Sequence, residues 1–368
     1  MSVRNTLLVG LTMSLFAACG GGSSSSDDDA AVEQNFDAAS VPDASVPDAF
    51  VADAMPAPAV AAIVPDNGLA EGGETISIQG TDLSYATAVT VGGVEATDLT
   101  VVSNDEITVV TPAGAFGAQV VEVTTAFGAP TTSFVYHGLI IADGAGATSG
   151  DLYHINPTTG VSTLIGPVGV ALTGLAATAT GEVFGVTASN FGASDLVSID
   201  MLTGAATVIG PLEDALAVSH GAVPDISFVG DTLFGWTELN DDVVSIDTLT
   251  GIITVIESPQ DSFGTGFAAD SAGTLFLAPT GSNGTLFTVD AATGAVTAGP
   301  TMTGTRGSMK GMTFYNDLLY GTDSEGNEVG VENTLTSIDT GLGTLTDIGI
   351  LPTGAIDALG GFSAPIAK

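Results

Sequence analysis

Five near-copies of one fifteen-residue unit dominate the C-terminal part of the chain. They are LYHINPTTGVSTLIG from Leu152, LVSIDMLTGAATVIG from Leu196, VVSIDTLTGIITVIE from Val243, LFTVDAATGAVTAGP from Leu286 and LTSIDTGLGTLTDIG from Leu335. Successive copies start 43 to 49 residues apart, the period of one four-stranded blade in a radial array. Each copy reads as strand, Thr-Gly turn, strand. A second recurrent strand pair lies between copies, as in TGLAATATGEVFGVT and ISFVGDTLFGWT. The ends complete the pattern, because LIIADG from Leu139 lacks a first strand and DALGGFSA from Asp357 supplies one. Pairing the last strand with the first three closes the ring and leaves no open sheet edge between blades. The expectation is a five-bladed β-propeller over residues 138–368, with six blades as the alternative count.

The unit also repeats an acid, at Asp200, Asp247, Asp290 and Asp339, with Asn156 in the first copy. Gly160, Gly204, Gly251, Gly294 and Gly343 follow at the end of each turn. An Asx side chain caps a hairpin corner and glycine takes its left-handed position, and neither role needs a ligand. A metal ligand or catalytic acid is not expected once in every blade. The corners therefore mark one face as short-turned, and any site is expected on the other face, where longer and more varied connections gather.

Residues 58–137 carry a different pattern. VPDNGLAEGGETISIQGTDLS, AVTVGGVEATDLTVVSNDEITVVTPAG and AQVVEVTTAFGAPTTSFVYH alternate apolar and polar residues in short runs broken by Gly-Gly and Asn-Asp steps. Such runs make an all-β, antiparallel Ig-like sandwich. With Pro65, the Gly72–Gly73 step, ISIQGTDL, VTVGGVEA, ITVVTPAG and SFVY, the segment resembles the IPT/TIG family of immunoglobulin-like domains. That resemblance implies a spacer or binding module beside another domain. The propeller segment in turn resembles secreted bacterial β-propellers with IDxxTGxxTxIG repeats, akin to quinoprotein-like and YVTN-like repeats. This second resemblance implies a fold and no particular chemistry.

The N-terminus reads as an address. MSVRN supplies a positive charge, residues 6–16 are a short apolar run, and LFAAC ends at Cys19, the one cysteine of the chain. The run is too short to span a bilayer and reads as an export signal over residues 1–18. The stretch resembles a bacterial lipoprotein signal, which implies lipidation of Cys19 and, with Gly20 next, an outer-membrane or cell-surface destination. Residues 19–57 begin GGGSSSSDDD and repeat SVPDA, a composition that stays extended as a tether.

Charge excludes whole classes of partner. The chain has 42 Asp and Glu against four Lys and Arg, a formal net charge of −38. Nucleic-acid binding requires phosphate neutralisation by Lys and Arg and is excluded. Arg306 and Lys310 are the basic residues nearest the expected mouth, placed either to neutralise neighbouring acids or to receive an anionic group. His220 lies near Asp214 in sequence on the same face. Asp323 opens an Asp-x-Glu-x-Asn stretch with a weak likeness to a calcium loop whose Gly and terminal Glu positions fail. No other metal or cofactor is implied, and GxSxG, HExxH, P-loop and Rossmann patterns are absent from the sequence. The expectation is a lipid-anchored, non-catalytic surface protein presenting the propeller to a protein or glycan. The alternative is an extracytoplasmic hydrolase or lyase acting on glycans through carboxylates at the mouth.

Overall fold

A computed structural model describes residues 57–143, 150–188, 194–256, 264–279, 284–304, 308–324, 333–352 and 356–362. The leader, the tether with Cys19, Arg306, Glu325 and Asn327 lie outside the described residues. The molecule is all-β, and one 3₁₀ turn, Leu83–Tyr85, is the only helix among the described residues.

Alternation builds the sandwich. In Thr75–Thr81, Ile76 and Ile78 are fully buried while Thr75 and Gln79 face solvent, as a two-residue period requires. One sheet orders Ala59–Val64, Thr75–Thr81, Glu106–Val110 and Thr97–Val101. The other contains Val94–Glu95, Ala86–Val91, Gly117–Thr125 and Thr131–Asp143. Ile107, Val121, Phe134 and Tyr136 fill the space between them.

Thr131–Asp143 does double duty. Its first part pairs with Gly117–Thr125 up to Tyr136, and from Gly138 it pairs with Ile356–Phe362. Asp151–Ile155 takes the other edge of that second part. A boundary drawn between His137 and Gly138 thus falls inside one strand, and the sandwich enters the propeller without a linker. One hydrophobic cluster runs from Ile76 and Phe134 through Phe116 to Ile140, Leu152, Leu175 and Phe362.

Five four-stranded blades follow. Blade 1 is Ile356–Phe362, residues 139–143, Asp151–Ile155 and Ser162–Pro167. Blades 2 to 5 begin with the inner strands Leu172–Ala177, Ile226–Val229, Gly264–Ala269 and Ser308–Tyr315, each followed outward by three strands in chain order. The inner strands pack side by side, and Ile356–Phe362 lies between the inner strands of blades 2 and 5. The C-terminal strand therefore closes the ring.

The repeat motif fixes both the corners and the joints between blades. At every corner the Asx Oδ1 accepts two backbone N–H groups: Leu202 and Thr203 at Asp200, Leu249 and Thr250 at Asp247, and Ala292 and Thr293 at Asp290. Gly341 and Leu342 do the same at Asp339, and Thr158 and Thr159 at Asn156. The closing glycines have φ between 67° and 80°, which β-carbon crowding disfavours in other residues. In three of the five copies the last glycine of the motif seats the next blade. A β-carbon on Gly166 would lie 2.2 Å from the Thr203 carbonyl oxygen, and one on Gly210 would lie 2.3 Å from that of Thr250. Gly349 meets Thr159 in the same way, so the joint of blade 5 to blade 1 repeats the others.

The sandwich sits on the short-turn face. Asn156 Nδ2, at the blade 1 corner, donates to Glu71 Oε1 at 2.7 Å. His137 Nδ1 lies 2.6 Å from the hydroxyl of Tyr315, at the end of the blade 5 inner strand. Phe116 stacks on Phe362 with centroids 5.7 Å apart. Gly117 lies against the Thr180 carbonyl in the first turn of blade 2.

Candidate functional site on the loop face

The inner strands present small residues where they converge at the axis. Gly174, Gly266, Gly311 and Ala358 occupy equivalent places, each one residue before the position that pairs with the centre of its neighbouring strand. Blade 3 has Asp225 there instead. Its carboxylate is fully buried. Oδ1 accepts the N–H of Ile226 at 2.9 Å, while Oδ2 accepts those of Phe267 at 2.9 Å and Met312 at 3.0 Å. Asp225 thus ties together the inner strands of blades 3, 4 and 5. A β-carbon on Gly174 would stand 2.7 Å from its Cα, so blade 2 closes against it as well. Phe267 and Met312 lie on inner strands that pair with a neighbour of their own sheet along one edge only. A buried N–H without an acceptor is costly, and Asp225 supplies the acceptor. Burial raises its carboxyl well above the ordinary carboxylate value, against the pull of the three N–H donors. With both oxygens taken by backbone, this acid latches the ring and offers nothing to a substrate.

Two described connections on the loop face bring polar side chains together. The link between blades 2 and 3, residues 212–225, folds back on itself: Asp214 Oδ1 accepts the N–H groups of Leu216 and Val218, and Ala217 adopts φ 58°. Asp214 Oδ2 lies 3.4 Å from His220 Nε2, and His220 Nδ1 lies 3.4 Å from Asn240 Nδ2. The hydrogen bonds from Val218, Leu216 and His220 hold the Asp214 carboxyl below its ordinary value. Asn240 belongs to the second connection, within blade 3, which is joined to the first where the Glu238 N–H donates to Ala222 O at 2.9 Å. Glu238 is solvent-facing on the whole residue, yet partial desolvation of its carboxyl raises its pKa. Lys310 opposes that rise and Asp241 adds to it.

The expected site residues separate accordingly. Asp214 and His220 meet, and Lys310 acts on Glu238 from the first residues of the blade 5 inner strand. Asp323 stands apart, buried within the blade 5 sheet opposite Met309 and Thr334. Trp236 is fully buried with Phe267 and Leu277, at the junction of blades 3 and 4. Among the described residues, no group of three or more His, Cys, Asp or Glu side chains is placed to hold a metal ion. Sequence reasoning missed Glu238 and Asn240, and it placed Asp225 beside His220 on the loop face without its role as a buried backbone acceptor. The signal for Asp225 was present, as an acid where the other inner strands have glycine or alanine.

Comparison with known proteins defines the class of the first domain. Residues 58–136 match the IPT/TIG domain model, and the sandwich is an Ig-like domain of that kind. No curated protein matches the chain. Among solved structures, a nidogen/laminin complex is similar at 12% identity and TM-score 0.44, covering 62% of this chain and 98% of that one. An auxiliary nutrient binding protein from Bacteroides ovatus is similar at 13% identity and TM-score 0.34, with coverage of 80% and 86%. TolB from Acinetobacter baumannii gives 12% identity and TM-score 0.37, with coverage of 77% and 68%. At these values the likenesses say nothing of ligand or activity.

Proposed function

We propose that the protein is a lipid-anchored, extracytoplasmic binding protein that presents the loop face of its propeller to a protein or glycan partner. The observation that carries this reading is the placement of the sandwich. It occupies the short-turn face through Glu71, Phe116 and His137, which leaves the connections around His220, Glu238 and Lys310 facing the other way. Asp225 is buried with both carboxylate oxygens bonded to backbone N–H groups, so the reading places the ligand on the loop connections. The Cys19 anchor rests on the leader sequence, and among the described residues no helix is long and apolar enough to cross a membrane.

Arrays of peptides and glycans test the binding reading. Wild-type protein retains a ligand, and His220→Ala with Lys310→Glu loses it. Asp290→Asn with Asp339→Asn, on the short-turn corners, keeps it. Loss through the corner substitutions alone contradicts the reading. Metabolic labelling with a palmitate analogue tests the anchor, and a Cys19→Ser protein that still labels removes it.

A second reading has one observation in its favour. Partial desolvation raises the Glu238 carboxyl, and the Lys310 charge opposes that rise, a pairing that suits a general acid beside an anion-holding group. A hydrolase or lyase of this kind releases product from the array ligand. A Glu238→Gln protein then binds that ligand without releasing product.

A further inference from the structure

We propose that the rim of blade 3 is a docking surface for a cationic polypeptide segment carrying apolar side chains. This inference rests on the loop-face binding reading, extends it along the outer edge of blade 3 to the corner, and names the partner class. The surface is apolar at its centre. Leu216 is 84% exposed, Leu249 85% and Leu239 69%, with Val218 and Ile252 also exposed. They follow the outer edge of blade 3, from Leu216, Val218 and Leu239 on the loop-face connections to Leu249 and Ile252 at the corner. The 213–219 fold-back runs beside the blade 3 corner through the parallel bridge Asp214–Ile253, where the Ile253 N–H donates to Glu213 O at 2.9 Å. Leu239 closes the other end, packed where a β-carbon on Gly221 would meet its own Cβ at 2.7 Å.

Two features argue that the apolar groups are held out for a partner. The fold-back is clamped by the Asp214 carboxylate and by the Glu213–Ser219 bridge, so Leu216 and Val218 are presented from a fixed loop. Fixed loops lose less entropy on binding. Exposed apolar clusters rimmed by polar groups mark interaction surfaces. Charge then selects the occupant. Glu213, Asp214, Asp242 and Asp247 lie within a few residues of these side chains along the chain, and no Lys or Arg occurs between Leu212 and Ile256. A second copy of this chain, at −38, is repelled. A segment of lysines or arginines with interspersed leucines matches both the acids and the apolar centre.

Two synthetic peptides of equal length and charge, one alternating Lys with Leu and one alternating Lys with Gly, test this on the full chain at physiological salt. The Lys–Leu peptide is expected to bind at least about tenfold tighter. Leu216→Asp with Leu249→Asp is expected to cost about tenfold in that affinity. Leu342→Asp, at a corner leucine of blade 5 that is 70% exposed, changes it less than about twofold. Equal affinity for the two peptides, an unaffected double variant, or an equal loss in Leu342→Asp overturns the proposal. The substituted positions are exposed, and an unchanged thermal midpoint verifies that each variant folds. A ligand retained on the arrays through His220 and Lys310 while these peptides fail would overturn the rim and leave the binding reading standing.

Discussion

At the residue scale, Asp225 and His154 show how much one buried polar group decides. Asp225→Ala leaves the N–H groups of Ile226, Phe267 and Met312 without their acceptor. The expected loss is about 3–5 kcal/mol in chemical denaturation, since each orphaned donor costs about 1–3 kcal/mol. A loss under about 1 kcal/mol would show that the latch is dispensable. His154 sits beneath Phe116 of the sandwich, with ring centroids 6.0 Å apart, and burial lowers its pKa to about 4 from 6.5. The unfolded chain therefore binds this proton first as pH falls. Stability is at its full value above about pH 6.5 and declines toward pH 4, by up to about 3 kcal/mol from this group. His137, at the same interface, is also lowered by burial. Because other groups titrate in that range, the measurement is the difference between wild type and His154→Phe in urea midpoints. The gap between the two is expected to shift in favour of His154→Phe as pH drops, and a constant gap would refute the assignment.

At the scale of elements, the repeated corner was legible because its chemistry is local. Asp, Thr and Gly act within five residues of one another, so a single copy shows the turn and five copies show the count. The closing strand was legible for the same reason, since one end lacked what the other supplied. The contacts of unlike residues were not. Glu71 with Asn156, Phe116 with His154, and Gly117 with Thr180 share no motif, and only the folded chain brings them together. Lys310 was read with Arg306 on the loop face, and Asp323 as the start of a loop stretch. Both lie in strands of blade 5, and the pleat buries Asp323 while leaving Lys310 half-buried at the mouth. The corner account predicts the behaviour of Gly251, which has φ 80° and would place a β-carbon 2.8 Å from the Gly210 carbonyl oxygen. Gly251→Ala is expected to cost about 1–3 kcal/mol, from strained backbone and a pushed joint together. Leu249→Ala, two residues away and exposed, is expected to stay within about 0.5 kcal/mol. Equal effects on the thermal midpoint would contradict the joint.

At the scale of the whole molecule, sandwich and propeller share a strand and a hydrophobic cluster, so the Ig-like domain is a fixed support for one face. The net charge of −38 favours cationic groups at the free face, and in the proposal the apolar rim of blade 3 gives that attraction a position. The direct measurement is hydrogen–deuterium exchange on the full chain with and without the first array ligand retained, read alongside the mass of the recovered ligand. The account predicts slowed exchange in residues 212–225 and 237–242 and at the start of Ser308–Tyr315, with the ligand recovered intact. Protection at the Asp290 and Asp339 corners with none on the loop face, or a cleaved ligand, would contradict it.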